Sequence, residues 1–402
     1  MKNVFKSVLE SMLKNLSRKV LSKSNVEIIG ITGSVGKSSA KEAIYKILND
    51  SKEYHGKVKK SEGNLNNEIG LPLSILGFSK SPSFFTWPLV ILKAFFRANF
   101  NNLNPISNTR LLVLEYASDK PGDIQYLTSI ARPKVAVLTY VGEAHMEFFD
   151  SIDKIALEKS QLVKSLPKDG VAIINSDNDY AWRIGLGART KVIYFGTDEK
   201  SKITAKNINI LNNKTEFTLK YENKEKTICI KAIGKQQVYA AMSAIGVGLT
   251  YNLDFDSMIQ SLNNYSPLSG RDNIVKGINN SLVFDSSYNA NLTSTKAALQ
   301  TLKELKTSGR KIAVLGDMRE LGKITKDAHK EIAIYAKQVA DKVVLVGQSY
   351  KDMPANKWFV NSQEAADFIK DKIENNDIIL VKGSHAMEME KIVNALSTKK
   401  VN

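Results

Sequence analysis

With 402 residues, 43% of them hydrophobic and 24% charged, the chain is long enough to bury a large core and to form two or three globular domains. Its formal net charge of +16 points to anionic ligands or an anionic surface, but there is no RNP-like, zinc-finger or other nucleic-acid module among its scattered lysines, so no nucleic-acid partner is expected. The single cysteine, Cys229, excludes an internal disulfide and any cysteine-based metal cluster, and suits a reducing cytoplasm.

Residues 2–23 set Val4, Phe5, Val8, Leu9, Met12, Leu13, Leu16, Val20 and Leu21 at helical spacing. Lys2, Lys6, Lys14, Arg18, Lys19 and Lys23 lie between them, with Glu10 the opposing acid. The pattern predicts a basic amphipathic helix without the continuous apolar core or cleavage site of a signal peptide. Next, Val26–Thr32 reads as a strand running into Gly33-Ser34-Val35-Gly36-Lys37-Ser38-Ser39 and then a helix. Glycines let backbone N–H groups close on phosphate oxygens, Lys37 can reach the β- and γ-phosphates, and the Ser38 hydroxyl can ligate Mg²⁺. Ile31 stands where the longer G-x-x-x-x-G-K-[ST] pattern has glycine, so this is the shorter T-G-x-x-G-K-S form.

A second apolar run, Phe84–Leu92 with Ala94, Phe95, Phe96 and Phe100 beyond it, is shorter than the ~20 residues that span a bilayer. Both it and the N-terminal helix suit peripheral contact at the inner face of a membrane, or packing against the protein's own core or a partner. Apolar β-branched runs at 26–32, 111–116, 135–141, 171–175 and 191–195 alternate with amphipathic stretches near 37–48, 122–130 and 151–165, predicting a mostly parallel sheet covered by helices. Residues 203–232 read as antiparallel strands turning at Asn212-Asn213-Lys214, and 236–249 as a helix. A second alternating block has strands at 281–285, 311–316, 342–346 and 377–382 and helices at 293–306, 324–340, 362–374 and 385–397. The expected fold class is therefore α/β: an N-terminal helix (1–25), a P-loop nucleotide-binding domain (26–268) and a smaller Rossmann-like domain (269–402).

Candidate chemistry follows strand ends, where open α/β sheets place ligands. Glu115 closes 111–115 beside the P-loop and can hold Mg²⁺, although alone it equally fits a helix cap or a surface acid. His145 follows the next strand. Lys159 reads by default as a solvated helix lysine. Asp285-Ser286-Ser287-Tyr288-Asn289-Ala290-Asn291, Gly316–Gly322 and Lys382-Gly383-Ser384-His385 each end a strand of the second domain in polar groups, which predicts an interdomain cleft.

These strings, together with Asn64-Leu65-Asn66-Asn67-Glu68-Ile69-Gly70-Leu71-Pro72, Glu115–Asp123 and Ala144–Phe149, resemble the MurF-type branch of the Mur ligase family and span residues 28 to 390 in order. The resemblance implies a Mur ligase central domain and C-terminal domain, and ATP-dependent amide ligation through an acyl phosphate in peptidoglycan precursor synthesis, with D-alanyl-D-alanine added to UDP-N-acetylmuramoyl-tripeptide. It implies that Gly33, Ser34, Gly36, Lys37, Ser38 and Ser39 hold the ATP phosphates, and that Arg271, Asp285 and Asn289 contact the nucleotide. Ser38 and Glu115 would ligate one Mg²⁺ and His145 a second, while Lys159 would be carbamylated and Asn64, Asn66, Asn67 and Lys382 would line the substrate. A cytoplasmic monomer acting on small-molecule and peptide precursors is expected. The family's full enzymes carry an N-terminal domain that grips UDP, where this chain shows only its amphipathic helix, and the 82–103 segment is atypical. The same chemistry on a lipid-linked acceptor is thus an alternative, and a nonenzymatic ATP-binding, membrane-docking subunit is another.

Overall fold

The structure, a computed structural model, describes residues 2–398; the side chains of residues 2–5 and of Phe84 lie outside that description, and with them the Lys2, Val4, Phe5 and Phe84 positions of the two apolar stripes. The chain forms two compact units. One comprises Met1–Val141, Asp153–Thr204 and Ala240–Ser261, the other Gly142–Ile152, Ala205–Tyr239 and Leu262–Asn402.

The first unit contains helix α1 (Lys2–Ser22), strand β1 (Glu27–Thr32), helix α2 (Lys37–Asp50), strand β2 (Val58–Lys60) and helices α3 (Gly70–Ile75) and α4 (Trp87–Asn99). Strand β3 (Leu111–Glu115), helix α5 (Asp123–Ile130) and strand β4 (Val135–Leu138) follow, and helix α6 (Met146–Phe149) falls in the second unit. Helix α7 (Ile152–Lys164), β5 (Val171–Asn175), α8 (Asp179–Leu186) and β6 (Lys191–Gly196) come next, and strands β1 to β6 form the first six of a nine-stranded sheet. Their order is β2-β3-β1-β4-β5-β6 and every pairing among them is parallel. Strands β3, β4 and β5 are buried at every residue, which is why they read as unbroken Val/Ile/Leu runs rather than as alternating ones.

The strand expected over 135–141 stops at Leu138. Thr139 N bonds to Thr32 O (3.0 Å) and Tyr140 O accepts from Ser34 N (2.7 Å), so the chain leaves the sheet to brace the loop after β1. The N-terminal helix forms as expected, and part of its stripe packs inward: Leu9, Leu13 and Val20 are buried while Val8 and Met12 stay exposed, with α1 lying on α3, α4 and α5. The aromatic run is helical as α4.

In the second unit, β7 (Ile203–Leu211) begins in the first unit and turns at Asn212–Asn213 into β8 (Lys214–Tyr221), which pairs antiparallel with β9 (Lys224–Ile230). After α9 (Lys235–Thr250) and α10 (Phe255–Asn263) come β10 (Asn273–Lys276), β11 (Leu282–Ser286), α11 (Leu292–Glu304), β12 (Lys311–Gly316), α12 (Thr325–Val339), β13 (Lys342–Val346), β14 (Lys357–Phe359), α13 (Ser362–Lys370), β15 (Ile378–Lys382) and α14 (Glu390–Leu396). The sheet order is β10-β11-β15-β12-β13-β14, parallel except for β10 on β11. Ala313 and Leu315 pack with Leu299, Leu302, Ile332 and Ala336 of α11 and α12. Their neighbours Ile312 and Val314 pack with Ile369, Ile392 and Val393 of α13 and α14. Two-residue alternation along β12 thus feeds a core on each face, the doubly wound arrangement. The expected last helix begins at Glu390 rather than 385, because His385–Met387 takes a single 3₁₀ turn that ends with Glu388 in the left-handed region.

Candidate functional site

The loop after β1 is built around two glycines. Gly33 has φ of +153°, and a Cβ there would stand 2.0 Å from Thr139 Oγ1; Gly36 has φ of +84° and leads into α2. Thr139 Oγ1 donates to Val35 O (2.6 Å), so the strand-end threonine fixes the loop that a side chain at 33 would expel. Lys37 Nζ folds over the loop onto Gly33 O at 2.7 Å, and Ser38 and Ser39 are buried in the first turn of α2. Aligned N–H groups at such a helix start favour an anion.

Register brings Glu115 alongside. Ile31 of β1 pairs with Glu115 of β3, and Tyr116 N donates to Ile31 O. Glu115 is buried, not a surface acid, and its Oε1 lies 3.2 Å from the equally buried Lys41 Nζ, which also donates to Ser61 O (2.8 Å). Lys41 sits one turn beyond Lys37, and only that spacing in a helix opening on a P-loop could have marked it.

Lys159 is not the solvated lysine its helix pattern suggested: it is 3% exposed, and its Nζ reaches Ser118 Oγ at 3.4 Å. Burial and the nearby Lys37 cation push its ammonium down to about 7, against the pull of Glu158 and Asp119. The adjacent Glu158 is also buried, where it accepts from Gly122 N (2.8 Å) and Ile124 N (2.7 Å) and so holds the N-terminus of α5. A helix-face pattern cannot reveal two consecutive charged residues facing inward. In the asparagine loop, Ala117 N donates to Asn66 O (3.0 Å), tying that loop to the strand end of Glu115. Asn64 O accepts from Asn66 N, and Asn67 Oδ1 accepts from Gly70 N (2.8 Å) at the start of α3. P-loop, Glu115, Ser118, Lys159 and the Asn64–Asn67 loop therefore belong to one neighbourhood of the first unit.

His145 belongs to the second unit. It has φ of +56°, and its Nδ1 lies 2.6 Å from Glu320 Oε2, a contact that holds the Glu320 carboxyl below its ordinary range. In the same unit β11, β15 and β12 end side by side: Ser286 pairs with Lys382, and Leu315 pairs with Lys382. Lys382 is buried, donating to Asn289 O (2.8 Å) and Ser286 Oγ (3.0 Å), and burial lowers its ammonium to about 8. Asp285 accepts from Gly270 N (2.8 Å) and from Ser287 N and Oγ (3.1 and 2.6 Å), with burial raising its carboxyl. Arg271 lays its guanidinium 3.7 Å from the Tyr288 ring, which stacks on His385. Asn291 caps α11 through a reciprocal bond with Ser294. The unit's buried His329 is a core residue: its Nδ1 donates to Thr325 O and its Nε2 accepts from Met318 N, which suits a neutral ring, and burial lowers its pKa.

Comparison with known proteins matches both halves of the chain. The Mur ligase middle domain matches residues 31–248, more than half of the chain, and the Mur ligase glutamate ligase domain matches 270–385. The UDP-N-acetylmuramoyl-tripeptide--D-alanyl-D-alanine ligase of Bacillus subtilis is 28% identical over 395 residues, covering 96% of this chain and 79% of that protein. Its Escherichia coli counterpart is 29% identical over 378 residues, covering 92% and 76%. A crystal structure of the MurF ligase from Thermotoga maritima in complex with ADP superposes with a TM-score of 0.80 at 26% identity, over 96% of this chain and 83% of that one. Glycine loop, strand-end carboxylate and inward-facing lysine are thus set in a scaffold matched in both halves, and the chain belongs to the Mur ligase family.

Proposed function

We propose that this chain is an ATP-dependent amide ligase that adds D-alanyl-D-alanine to UDP-N-acetylmuramoyl-tripeptide in the cytoplasm, as a monomer with peripheral contact at the membrane's inner face. The observation that carries the reading is a buried lysine whose ammonium is lowered to about 7, in the neighbourhood of a glycine loop, Lys37 and a buried strand-end carboxylate. The ligases of B. subtilis and E. coli named above support the choice of substrates.

In the proposed reaction a carboxylate oxygen of the acceptor attacks the γ-phosphorus of ATP, and the bond to the ADP oxygen breaks. The D-alanyl-D-alanine amine then attacks the acyl carbon; the C–N bond forms, inorganic phosphate leaves, and the amine loses its proton. Gly33, Ser34, Gly36 and the first turn of α2 would hold the phosphates, with Ser39 beside them, while Lys37 offsets charge on the transferring group. Ser38 and Glu115 are hard oxygen donors that fit Mg²⁺, an ion usually held by one or two carboxylates plus substrate phosphates. Consistent with that mode, no group of three or more His, Cys, Asp and Glu among the described residues is arranged to hold a metal by itself. Held there by Ser38 and Glu115, the ion would supply charge neutralisation for the phosphates. His145 is assigned to a second Mg²⁺, with Glu320 as the carboxylate that orients its ring.

Lys159 is the site for carbamylation. An amine with a pKa of about 7 is roughly half neutral at pH 7, against about one part in 10³–10⁴ for an ordinary lysine. Its neutral nitrogen adds to CO₂ and releases one proton, turning a buried cation into an anion. Arg271, Asp285 and Asn289 are assigned to the nucleotide, and Asn64, Asn66, Asn67 and Lys382 to the substrate, with the Asn67 side chain acting through the helix start that it caps.

ADP release with UDP-N-acetylmuramoyl-tripeptide plus D-alanyl-D-alanine tests the reading: turnover requiring both is the expected result, and ATP binding without turnover of any carboxylate–amine pair would sink it. The same chemistry on a lipid-linked acceptor is the second reading, favoured by the exposed apolar face of α4, and activity only with that acceptor would select it.

A further inference from the structure

Helix α4 is turned inside out. Its small residues Ala94 and Ala98 are fully buried while its large ones face solvent: Phe85, just before it, is 88% exposed, Leu89 61%, Leu92 52%, Phe95 51% and Phe96 42%. Their spacing of three and four makes one continuous stripe, carried on by Phe100 and Leu103. Val8 and Met12 of α1 are also exposed, and a shallow groove of about 430 Å³ runs between the helices, lined by Met12, Leu16, Pro88, Ile91, Leu92 and Phe95. Leu9, Leu13 and Val20 of the α1 stripe are buried inside the protein, so α4 supplies most of the exposed apolar face.

We infer that this face of α4 is a docking surface for an anionic lipid bilayer, with the helix lying in the interface. Charge selects that occupant. Between Glu68 and Glu115 the sequence holds no Asp or Glu, while Lys80, Lys93, Arg97 and Arg110 fall within the stretch. Lys93 is exposed on α4 itself, and Lys80 is exposed in the segment before it. On the α1 side Arg18, Lys19 and Lys23 are exposed too, with Lys19 and Lys23 bonded to Asn99 at the end of α4. Large apolar side chains flanked by cations, with no acid on α4 or in the segments flanking it to repel phosphate headgroups, are the composition of an interfacial helix. Spanning is excluded for α4 by its 13 residues against the ~20 needed. More generally, no helix among the described residues is long and apolar enough to cross a membrane. The inference rests on no step of the ligase chemistry, so either can fail alone.

Flotation of the full chain with phosphatidylglycerol/phosphatidylcholine vesicles, with pure phosphatidylcholine vesicles and without vesicles is the test. Wild type is expected to float with the anionic vesicles. Leu89→Glu/Phe95→Glu should lose at least ~10-fold in partition, the order expected when two buried apolar side chains are lost. Leu186→Glu, a control at an exposed leucine on α8, should bind as wild type does. Because these positions are exposed, each variant should keep the wild-type melting temperature and ADP release with water-soluble substrates. No flotation of wild type, or equal flotation of the double variant, would overturn the inference. So would light scattering that finds a wild-type dimer which Leu89→Glu/Phe95→Glu dissolves, since the face would then belong to a second copy.

Discussion

Lys41 Nζ stands 3.2 Å from Glu115 Oε1 with the two side chains 1% and 2% exposed, a buried ion pair one helical turn beyond the loop proposed to hold phosphate. Removing one partner strands the other charge in a site closed to water, so Lys41→Met should destabilise the fold by about 3–5 kcal/mol. Removing both charges is milder, because no ion is left without its counter-ion. Urea unfolding of Lys41→Met, Glu115→Gln and the double variant should therefore give a double-variant loss well below the sum of the singles. Additive losses would mean that the two groups do not stabilise each other.

The glycine loop makes a prediction of a different kind. An alanine at 33 would place its Cβ 2.0 Å from Thr139 Oγ1 at a φ of +153°, so Gly33→Ala combines a clash with backbone strain of roughly 1–3 kcal/mol. Nucleotide affinity, read by calorimetric titration, should fall sharply. Gly33→Ala/Thr139→Ala removes the clash and keeps the strain, so it should recover part of the affinity. Lys37→Ala leaves the loop intact and removes the clamp, and kcat should drop by at least ~100-fold. Near-normal turnover of Lys37→Ala would refute the phosphate role.

The Lys37→Ala prediction could have been written from sequence, since Gly33, Gly36 and Lys37 announce themselves by spacing, as the buried strands β3, β4 and β5 do by their apolar runs; the Thr139 clash behind the Gly33→Ala prediction could not. Nor could the burial of Lys41 and Lys159. Each sits in an amphipathic helix where a lysine ordinarily marks the solvent face, and the partners they meet inside are non-local: Glu115 at the end of β3 for Lys41, and Ser118 just beyond it for Lys159. Short elements were equally hidden: β2, β10 and β14 have three or four residues each, too few for a period to show. The α4 segment was legible as apolar, but the outward direction of its phenylalanines goes with the burial of Ala94 and Ala98 in a helix that packs on α1, a packing choice that composition does not encode.

Lys159 ties stability to pH in a definite direction. Its ammonium falls from an ordinary 10.5 to about 7 on folding, so between those values the unfolded chain binds the extra proton and stability rises with pH. Below about pH 7 the lysine is charged in both states and the burial penalty is fully present. Lys159→Met should therefore stabilise the protein most at pH 6, with an advantage that shrinks as pH climbs toward 10. Removing the neighbouring cation by Lys37→Ala should raise the pKa of Lys159 and move the onset to higher pH. Carbamylation can be read separately: ¹³C-bicarbonate should give a carbamate signal in wild type that Lys159→Ala lacks. Lys159→Ala should also lose most of its activity while binding ATP normally.

Lys382 in the second unit titrates on the same principle but begins later, near 8, since burial and Arg271 lower it while Asp272 and Asp285 pull it back. Its proton difference between folded and unfolded chains opens about one unit above that of Lys159 and likewise closes near 10.5, so stability rises through that narrower window. Unlike Lys159, it holds two bonds that order the strand-end loop, to Asn289 O and Ser286 Oγ. Lys382→Met loses both and leaves Ser286 bound only to Asp272, a cost of about 1–3 kcal/mol that opposes the relief of burying no cation. The two terms have different pH dependence. Chemical denaturation of Lys382→Met should show little net change at pH 7 and a growing deficit toward pH 10, where wild type buries a neutral amine and keeps its bonds. A deficit that stays constant with pH would mean that Lys382 keeps an ordinary ammonium in the fold, protonated in both states throughout that range.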